Sequence, residues 1–330
     1  MAMLAAAWGQ VHAVPPPLGL LSLDAIFAEP RRTYPDLDES RLHTLLVTGD
    51  VGLVRMVNVT TVESDDFTWP FLEMAEPMRA ADITFINLEG PLVPGCPLRT
   101  SGLVFCGDPR NVEGLAFAGV DVAAVANNHM FNHGQAGLDA TRAILESEGI
   151  GHAGYGLGAT IEHEDVTFGF LSYNAAGQAV DLDAIQREID ALARETDVVV
   201  VMFHWGAEYV RIPVPGPGLA GAPRDLARTA IDAGATLVVG NHPHWFQGVE
   251  LYRGRMIAYA FGNFVFDQPW SVETQQGMIG LFTFLDDRLI DAEFTPVRLY
   301  DWGQPRPANE PERSKLLGIM REASEALVTY

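Results

Sequence analysis

The chain is almost without lysine: Lys315 is the only one in 330 residues, and 21 Lys plus Arg stand against 43 Asp plus Glu, a formal net charge of −22. Such a surface repels polyanions, and no run of basic residues relieves it, so neither nucleic acid nor an anionic membrane face is expected as a partner. Long apolar runs are absent too, and without a stretch of about 18 residues there is no membrane-spanning helix to expect. The opening MAMLAAAWGQVHAV holds no Lys or Arg, and none comes before Arg31, so it lacks the charged start of an export signal, and a cytoplasmic location is expected. Cysteine is scarce: Cys96 and Cys106 lie in PGCPLRTSGLVFCGDP, where a local disulfide and two free thiols both fit, and two cysteines do not fix the compartment. No internal repeat or low-complexity tract occurs, which excludes solenoids and arrays.

What is present suits a globule with a sizeable core, since 48% of the residues are apolar and the 32 Gly and 21 Pro are spread as punctuation between short elements. Residues 1–43 mix Pro-rich pieces (PPPLGLL, AEPRRTYPDLDES) with scattered apolar positions and read as an extension packed irregularly on a core. Residues 44–330 read as a single domain. From Thr44 onward, seven β-rich apolar runs end in polar residues or glycine: TLLVTGD, ITFINLEG, VAAVANNH, TFGFLSYN, VVVVMFHWG, TLVVGNHPH and MIAYAFGNF. Helical spacing over 71–81, 137–148, 183–194 and 224–233 separates several of them, an alternation that argues for α/β layers. Strands near 278–285 and 289–297 form a final antiparallel pair, and a helix over 310–327 closes the chain.

Functional groups in open α/β folds collect past the carboxyl ends of strands, where loops share one crevice. Asp50 ends the first run here, Glu89 the second, Asn127, Asn128 and His129 the third, His204 the fifth, and His242 with His244 the sixth. Carboxylate, amide and imidazole together make a donor set for hard to borderline divalent metals. His242 and His244 flank Pro243, which stiffens a loop from which both imidazoles reach one neighbourhood. Six donors are too many for one closed tetrahedral site and suit two metals about 4 Å apart sharing a carboxylate.

At these residues the chain resembles the CapA family of poly-γ-glutamate capsule synthesis, whose members look like calcineurin-type metallophosphoesterases. The resemblance covers about residues 45–267 and rests on TGDVGL, ADITFINLEGPL, VANNHMFNHGQAGLDAT, HAGYGLG, VVVVMFHWGAEY and GNHPHWFQGVELYRGRMIAYAFGNFVFD, in the family's order. It implies a four-layer α-β-β-α sandwich and a centre of two divalent ions (Mn, Fe, Zn or Ca). In that reading Asp50 and His244 serve the first metal, Glu89 bridges, Asn128, His204 and His242 serve the second, and His129 is the catalytic acid or polarising group. Asn127, Glu208, Asn263 and Asp267 are implied as supporting or substrate-contacting residues. The chain departs from the phosphoesterase pattern at Asp50-Val51-Gly52, where a histidine is missing, and from the family's own pattern at Asn132 and Asn241.

Three functions follow as expectations. The first is a hydrolase acting on a phosphoester or amide with a metal-activated water and His129 as proton donor. The second is an epimerase exchanging a Cα proton of a peptide, as the resemblance to CapA-like proteins of ribosomal peptide pathways implies. The third is a non-catalytic component of capsule-polymer synthesis. Capsule-synthesis members usually begin with a membrane anchor, and its absence from this sequence favours a soluble relative with a small-molecule or peptide substrate. Arg99, Arg211 and Arg224 are candidates for an anionic group of that substrate, in or beside the Pro- and Gly-rich loops 93–110 and 210–223.

Overall fold

The computed structural model describes residues 21–29, 31, 33–34, 37–216 and 222–328, so the first Pro-rich piece and part of the 210–223 loop lie outside the described residues. The chain first builds one sheet from β1 (Leu42–Val51), β2 (Ile83–Leu88), β3 (Val122–Ala124) and β4 (Gly151–Ala153), all parallel. It then builds a second from β5 (Ala159–His163), β6 (Val166–Asn174), β7 (Val198–His204), β8 (Leu237–Asn241), β9 (Val249–Tyr252) and β10 (Arg255–Ala258), in the order β5-β6-β7-β8-β10-β9. Finally it returns to the first sheet with β11 (Asn263–Val265), β12 (Gln276–Leu285), β13 (Arg288–Tyr300) and β14 (Gln304–Pro307). The first sheet therefore runs β14-β13-β12-β1-β2-β3-β4, with β11 also paired to β1.

Between the sheets lies an apolar layer that includes Val47, Phe85, Phe168, Phe170, Val200 and Val239. Phe85 and Phe170 meet across it with ring centroids 4.9 Å apart. The outer face of the first sheet is covered by α2 (Arg55–Ser64), α3 (Ala75–Arg79), α4 (Val112–Phe117) and α5 (Gly134–Ser147). Over the second sheet lie α6 (Leu182–Leu192) and α7 (Pro223–Asp232), whose Ile185, Ile189, Leu226 and Ala230 stack on Val199, Val201 and Val238. Strands with both faces covered read as continuous apolar runs, and β7, VVVVMFH, is buried throughout. The architecture is the expected α-β-β-α sandwich. The short α1 (Leu23–Ile26) and α8 (Glu312–Val328) close its open end, with Ile26, Leu316 and Met320 entering the inter-sheet layer. Arg31 ties the N-terminal segment down through Asp291 and the carbonyl of Ala292.

Three differences from the sequence reading have physical causes. The run MIAYAFGNF is not one strand: β10 belongs to the second sheet, the chain bends at Gly262 (φ 71°), and β11 begins in the first sheet. An apolar run buried throughout carries no mark of which sheet each half joins. VAAVANNH stops being strand after Ala124, although the Val125 N–H still donates to the Ala153 carbonyl. The expected helix over 71–81 is a 3-10 turn at Trp69–Phe71 followed by α3, because Pro70 and Pro77 interrupt continuous helix bonding.

Candidate metal centre

Five strand-end loops converge at one end of the sandwich. A methyl group on Gly49 would lie 2.1 Å from the Gly262 carbonyl, so only glycine lets β1 run close enough to the 261–263 crossing for Asp50 N–H to donate to that carbonyl at 2.8 Å. Asp50 is thereby fixed with no exposure. Its Oδ1 accepts from Asn87 Nδ2 at 2.8 Å, and its Oδ2 lies 3.3 Å from both the His242 N–H and His244 Nδ1. Asn87 also stands 3.4 Å from His204 Nδ1; it was missed in the sequence because it is the inward residue one step before Leu88-Glu89.

Glu89 is the centre of the arrangement. It is wholly buried, and neither carboxylate oxygen has a hydrogen-bond partner. His129 Nε2 lies 3.9 Å and His244 Nε2 4.0 Å from its Oε1, both beyond hydrogen-bond length. Burial first, and then the charge of Asp50, hold the Glu89 carboxyl well above the ordinary carboxylate range. Donor atoms of Asp50, Glu89 and His204 all lie within 4.8 Å of one another.

The imidazoles are sorted by their surroundings. His204 ends β7 with its Nε2 2.9 Å from Asn128 Oδ1, and its ring centroid lies 4.7 Å from that of His242. Burial, and then the neighbouring histidines, depress both, His242 to about 3. His242 Nδ1 is buried without a partner. Burial also opposes the charged form of His244, yet Glu89 and Asp50 outweigh it and lift that imidazole to about 9. Its Nδ1 meets Asn263 Oδ1 at 2.9 Å, and Asn263 is itself held by Gln268 and the Thr274 carbonyl, so Asn263 orients His244. His242 and His244 adopt φ of 97° and 56°, left-handed backbone that costs about 1–3 kcal/mol per residue and persists where surroundings enforce it.

His129 stacks on Phe105 with ring centroids 3.8 Å apart, and its Nδ1 lies 3.0 Å from Asn132 Oδ1. That same Oδ1 accepts the Phe105 N–H at 2.6 Å, so it is an acceptor and the proton sits on His129 Nδ1. Nε2, the nitrogen facing Glu89, is left with its lone pair. Burial drives the imidazole down to about 4, overriding Asn132. Asn127 donates to the Leu88 carbonyl and accepts the His129 N–H, and so shapes the loop.

Asn128 and His242, with the exposed Glu208, also line an open cavity of about 500 Å³. Asp267 is held in a buried ion pair with Arg55. The arginines expected near an anion divide: Arg224 is bound by Glu250 and the Leu327 carbonyl, Arg211 is seated 3.9 Å over the Phe246 ring, and Arg99 sits in an exposed loop closed by a Cys96–Cys106 disulfide. Trp205 donates to the Tyr259 carbonyl and stacks on Phe203 as packing.

The donors fit a divalent cation. Groups sharing an ion at about 2.0–2.2 Å stand about 3–4 Å apart, the spacing around Glu89 Oε1. A buried carboxylate with no donor costs several kcal/mol unless a cation neutralises it, and the carboxylate and imidazole set selects hard to borderline divalent metals.

Residues 44–268 match the family described as bacterial capsule synthesis protein PGA_cap. The chain belongs to this family. Among its relatives is the PGA biosynthesis protein CapA of Bacillus subtilis (strain 168), 28% identical over 84% of this chain and 76% of that protein. The capsule biosynthesis protein CapA of Bacillus anthracis is 26% identical over 82% of this chain and 70% of its own length. Among solved structures, a hypothetical protein from Thermus thermophilus shares the fold at a TM-score of 0.51 and 18% identity, over 79% of this chain and all of that one. Among the described residues of this CapA relative, no helix is long and apolar enough to cross a membrane.

Proposed function

We propose that this CapA-family chain is a metal-dependent hydrolase of a phosphoester or amide. The observation that carries the reading is Glu89: a buried, unpartnered carboxylate between the Nε2 atoms of His129 and His244, with Asp50 and His204 in reach. Asp50, Glu89, Asn128, His204, His242 and His244 would hold two divalent cations, among Mn, Fe, Zn and Ca. When bound, such cations supply Lewis acidity and lower the pKa of water. His129 contributes the proton chemistry: with Nδ1–H committed to Asn132, its bare Nε2 takes a proton from the nucleophile and returns it to the leaving group. Asn132 and Phe105 hold the ring in that tautomer and exclude water from one face.

The lone pair on Nε2 also favours a second reading, since a bare imidazole nitrogen is what abstraction of a Cα proton from a peptide requires. A third, non-catalytic place in capsule-polymer synthesis has the relatives' names in its favour. The disulfide weighs against the cytoplasm as the place of action, because such bonds persist in oxidising compartments.

Elemental analysis of protein purified without added metal comes first, with Asp50→Ala and His242→Ala beside it. Metal in the parent, lost in both variants, supports the centre; a parent that takes up none sinks both enzyme readings. Turnover of generic phosphoesters, abolished by chelator and in His129→Ala, supports hydrolysis. Deuterium entering a Cα position of a peptide without bond cleavage supports epimerisation in its place. Tight metal with neither activity leaves the non-catalytic role.

A further inference from the structure

Arg55 is the first residue of α2, with left-handed backbone (φ 47°) and a side chain only 7% exposed. A guanidinium presents five N–H donors in one plane. Nε and Nη2 both donate to Oδ1 of Asp267, whose Oδ2 takes the Met56 N–H, and Nη1 reaches only the Gly102 carbonyl at 3.4 Å. Three donors are thus engaged, and the other two, one on Nη1 and one on Nη2, have no acceptor among the described residues.

The guanidinium lies against aromatic rings that flank the metal centre. The Arg55 Cζ stands 4.8 Å from the ring centroid of Phe105, 5.5 Å from Phe266 and 5.8 Å from the exposed Trp270. Phe105 is the ring stacked on His129, and Phe266 meets His244 edge-on at 5.2 Å. Carboxylates dominate the surroundings, from Asp50, Glu89 and Glu208, and Arg55 is a fixed positive charge felt at both Glu89 and His129. Asp267 balances that charge within the fold and takes the Nε and Nη2 side of the fork, leaving one N–H on each of Nη1 and Nη2 for a further acceptor. Arg224 is bound by Glu250 and the Leu327 carbonyl, and Arg211 donates to the Phe246 carbonyl from over that ring.

We propose that the free edge of Arg55 anchors an oxyanion of the substrate, a carboxylate or phosphate carried a few bonds from the reacting group, between the walls of Phe105, Phe266 and Trp270. The proposal deepens the metal-centre reading above and rests on it for the place of the reacting group. A guanidinium edge gives a paired, directional, charge-assisted contact that a lysine cannot reproduce, and the aromatic walls strengthen it by excluding water. The substrate class is then an anionic one, in a protein whose overall charge repels anions everywhere else.

The test is calorimetric binding of two probes, glutarate and methylphosphonate, to the Mn²⁺-loaded protein, its Arg55→Gln and Arg55→Lys variants, and the chelated parent. The expected result is that one probe binds the parent and weakens by about tenfold or more in Arg55→Gln at unchanged Mn²⁺ content, with Arg55→Lys in between. The preferred probe says whether carboxylate or phosphate is the group. Failure of both probes to bind the parent up to about 20 mM overturns the anchor, as does equal affinity in Arg55→Gln. Should Arg55→Gln not fold, Arg55→Lys decides alone, and unchanged affinity overturns it. Mn²⁺ uptake with binding indifferent to Arg55 sinks the anchor and spares the metal centre; Arg55-dependent binding in a parent that takes no Mn²⁺ does the reverse.

Discussion

At the scale of single residues, Glu89 sets the strongest constraint. Its two oxygens are buried without a donor, so in the metal-free protein the carboxyl is either an uncompensated charge or a proton carrier. Glu89→Gln removes that conflict and keeps the shape. The chelated variant should be more stable than the chelated parent by about 1–3 kcal/mol, while its metal content collapses. Melting in chelator beside elemental analysis checks both, and a variant that melts lower without metal contradicts this account of Glu89. Residues at strand ends were legible because a polar side chain after a buried run has few structural reasons to be there; Asp50, Glu89, Asn128, His204, His242 and His244 are all brought to one crevice. Asn87, Asn132 and Arg55 were not singled out as site residues. Their contacts are made across the fold or to a neighbouring loop, and the signals were an arginine inside the otherwise apolar VGLVRMV, five residues past Asp50, and Asn132 as a departure from the family's pattern.

At the scale of elements, the loop between Cys96 and Cys106 carries a wall of the site. Phe105 stacks on His129, while Leu98, Leu103 and Val104 on the same loop are exposed. Closing so short a loop removes about 2–3 kcal/mol of chain entropy from the unfolded state. Cys106→Ser is therefore expected to lower stability by that order and to disturb Phe105 and His129 while leaving metal content intact. Thermal melting, metal analysis and the imidazole NMR signals of His129 read the three parts separately, and unperturbed His129 signals in the variant would show that the disulfide does not hold the wall. A second element-level test is Gly49→Ala, whose added methyl overlaps the Gly262 carbonyl and should cost about 2–3 kcal/mol by forcing β1 from the crossing. The continuous apolar run of β7 and the helical spacing of α5 and α6 made those elements legible. The helix α2 was not, since RMVNVTTVES is rich in β-branched residues and becomes helical because it packs on the first sheet. Nor was the split of β10 from β11, a tertiary choice that no local pattern encodes.

At the scale of the whole molecule, the charge of −22 opposes the compact state through self-repulsion. Raising NaCl from about 0.02 to 0.2 M shortens the screening length roughly threefold and should raise the melting temperature of the chelated protein. A melting point indifferent to salt would mean that the acidic groups are already locally compensated. His43 gives a pH dependence with a definite sign: burial, and then His163 at 2.9 Å, hold its imidazole below the usual 6.5. The unfolded chain then binds a proton first as pH falls. The stability from neutral His43 is therefore complete above pH about 6.5 and is lost as pH drops through the folded value. Denaturant melts of His43→Gln between neutral and mildly acid pH should show a shallower slope than the parent; an identical slope would remove His43 from the explanation of acid lability.

The crossing at Gly262 has a consequence for how the molecule is held shut. Asp50, Glu89 and the Asn263 that steers His244 belong to one sheet or its edge, whereas His204 and His242 extend from the other. A cation shared among them would act as a clasp between the two leaves of the sandwich, so that loading and inter-leaf cohesion become one equilibrium. In such a protein each tenfold rise of free cation above its dissociation constant adds about 1.4 kcal/mol to folding. Weakening the interior between the leaves, far from any donor atom, would then be felt as a weaker grip on the ion.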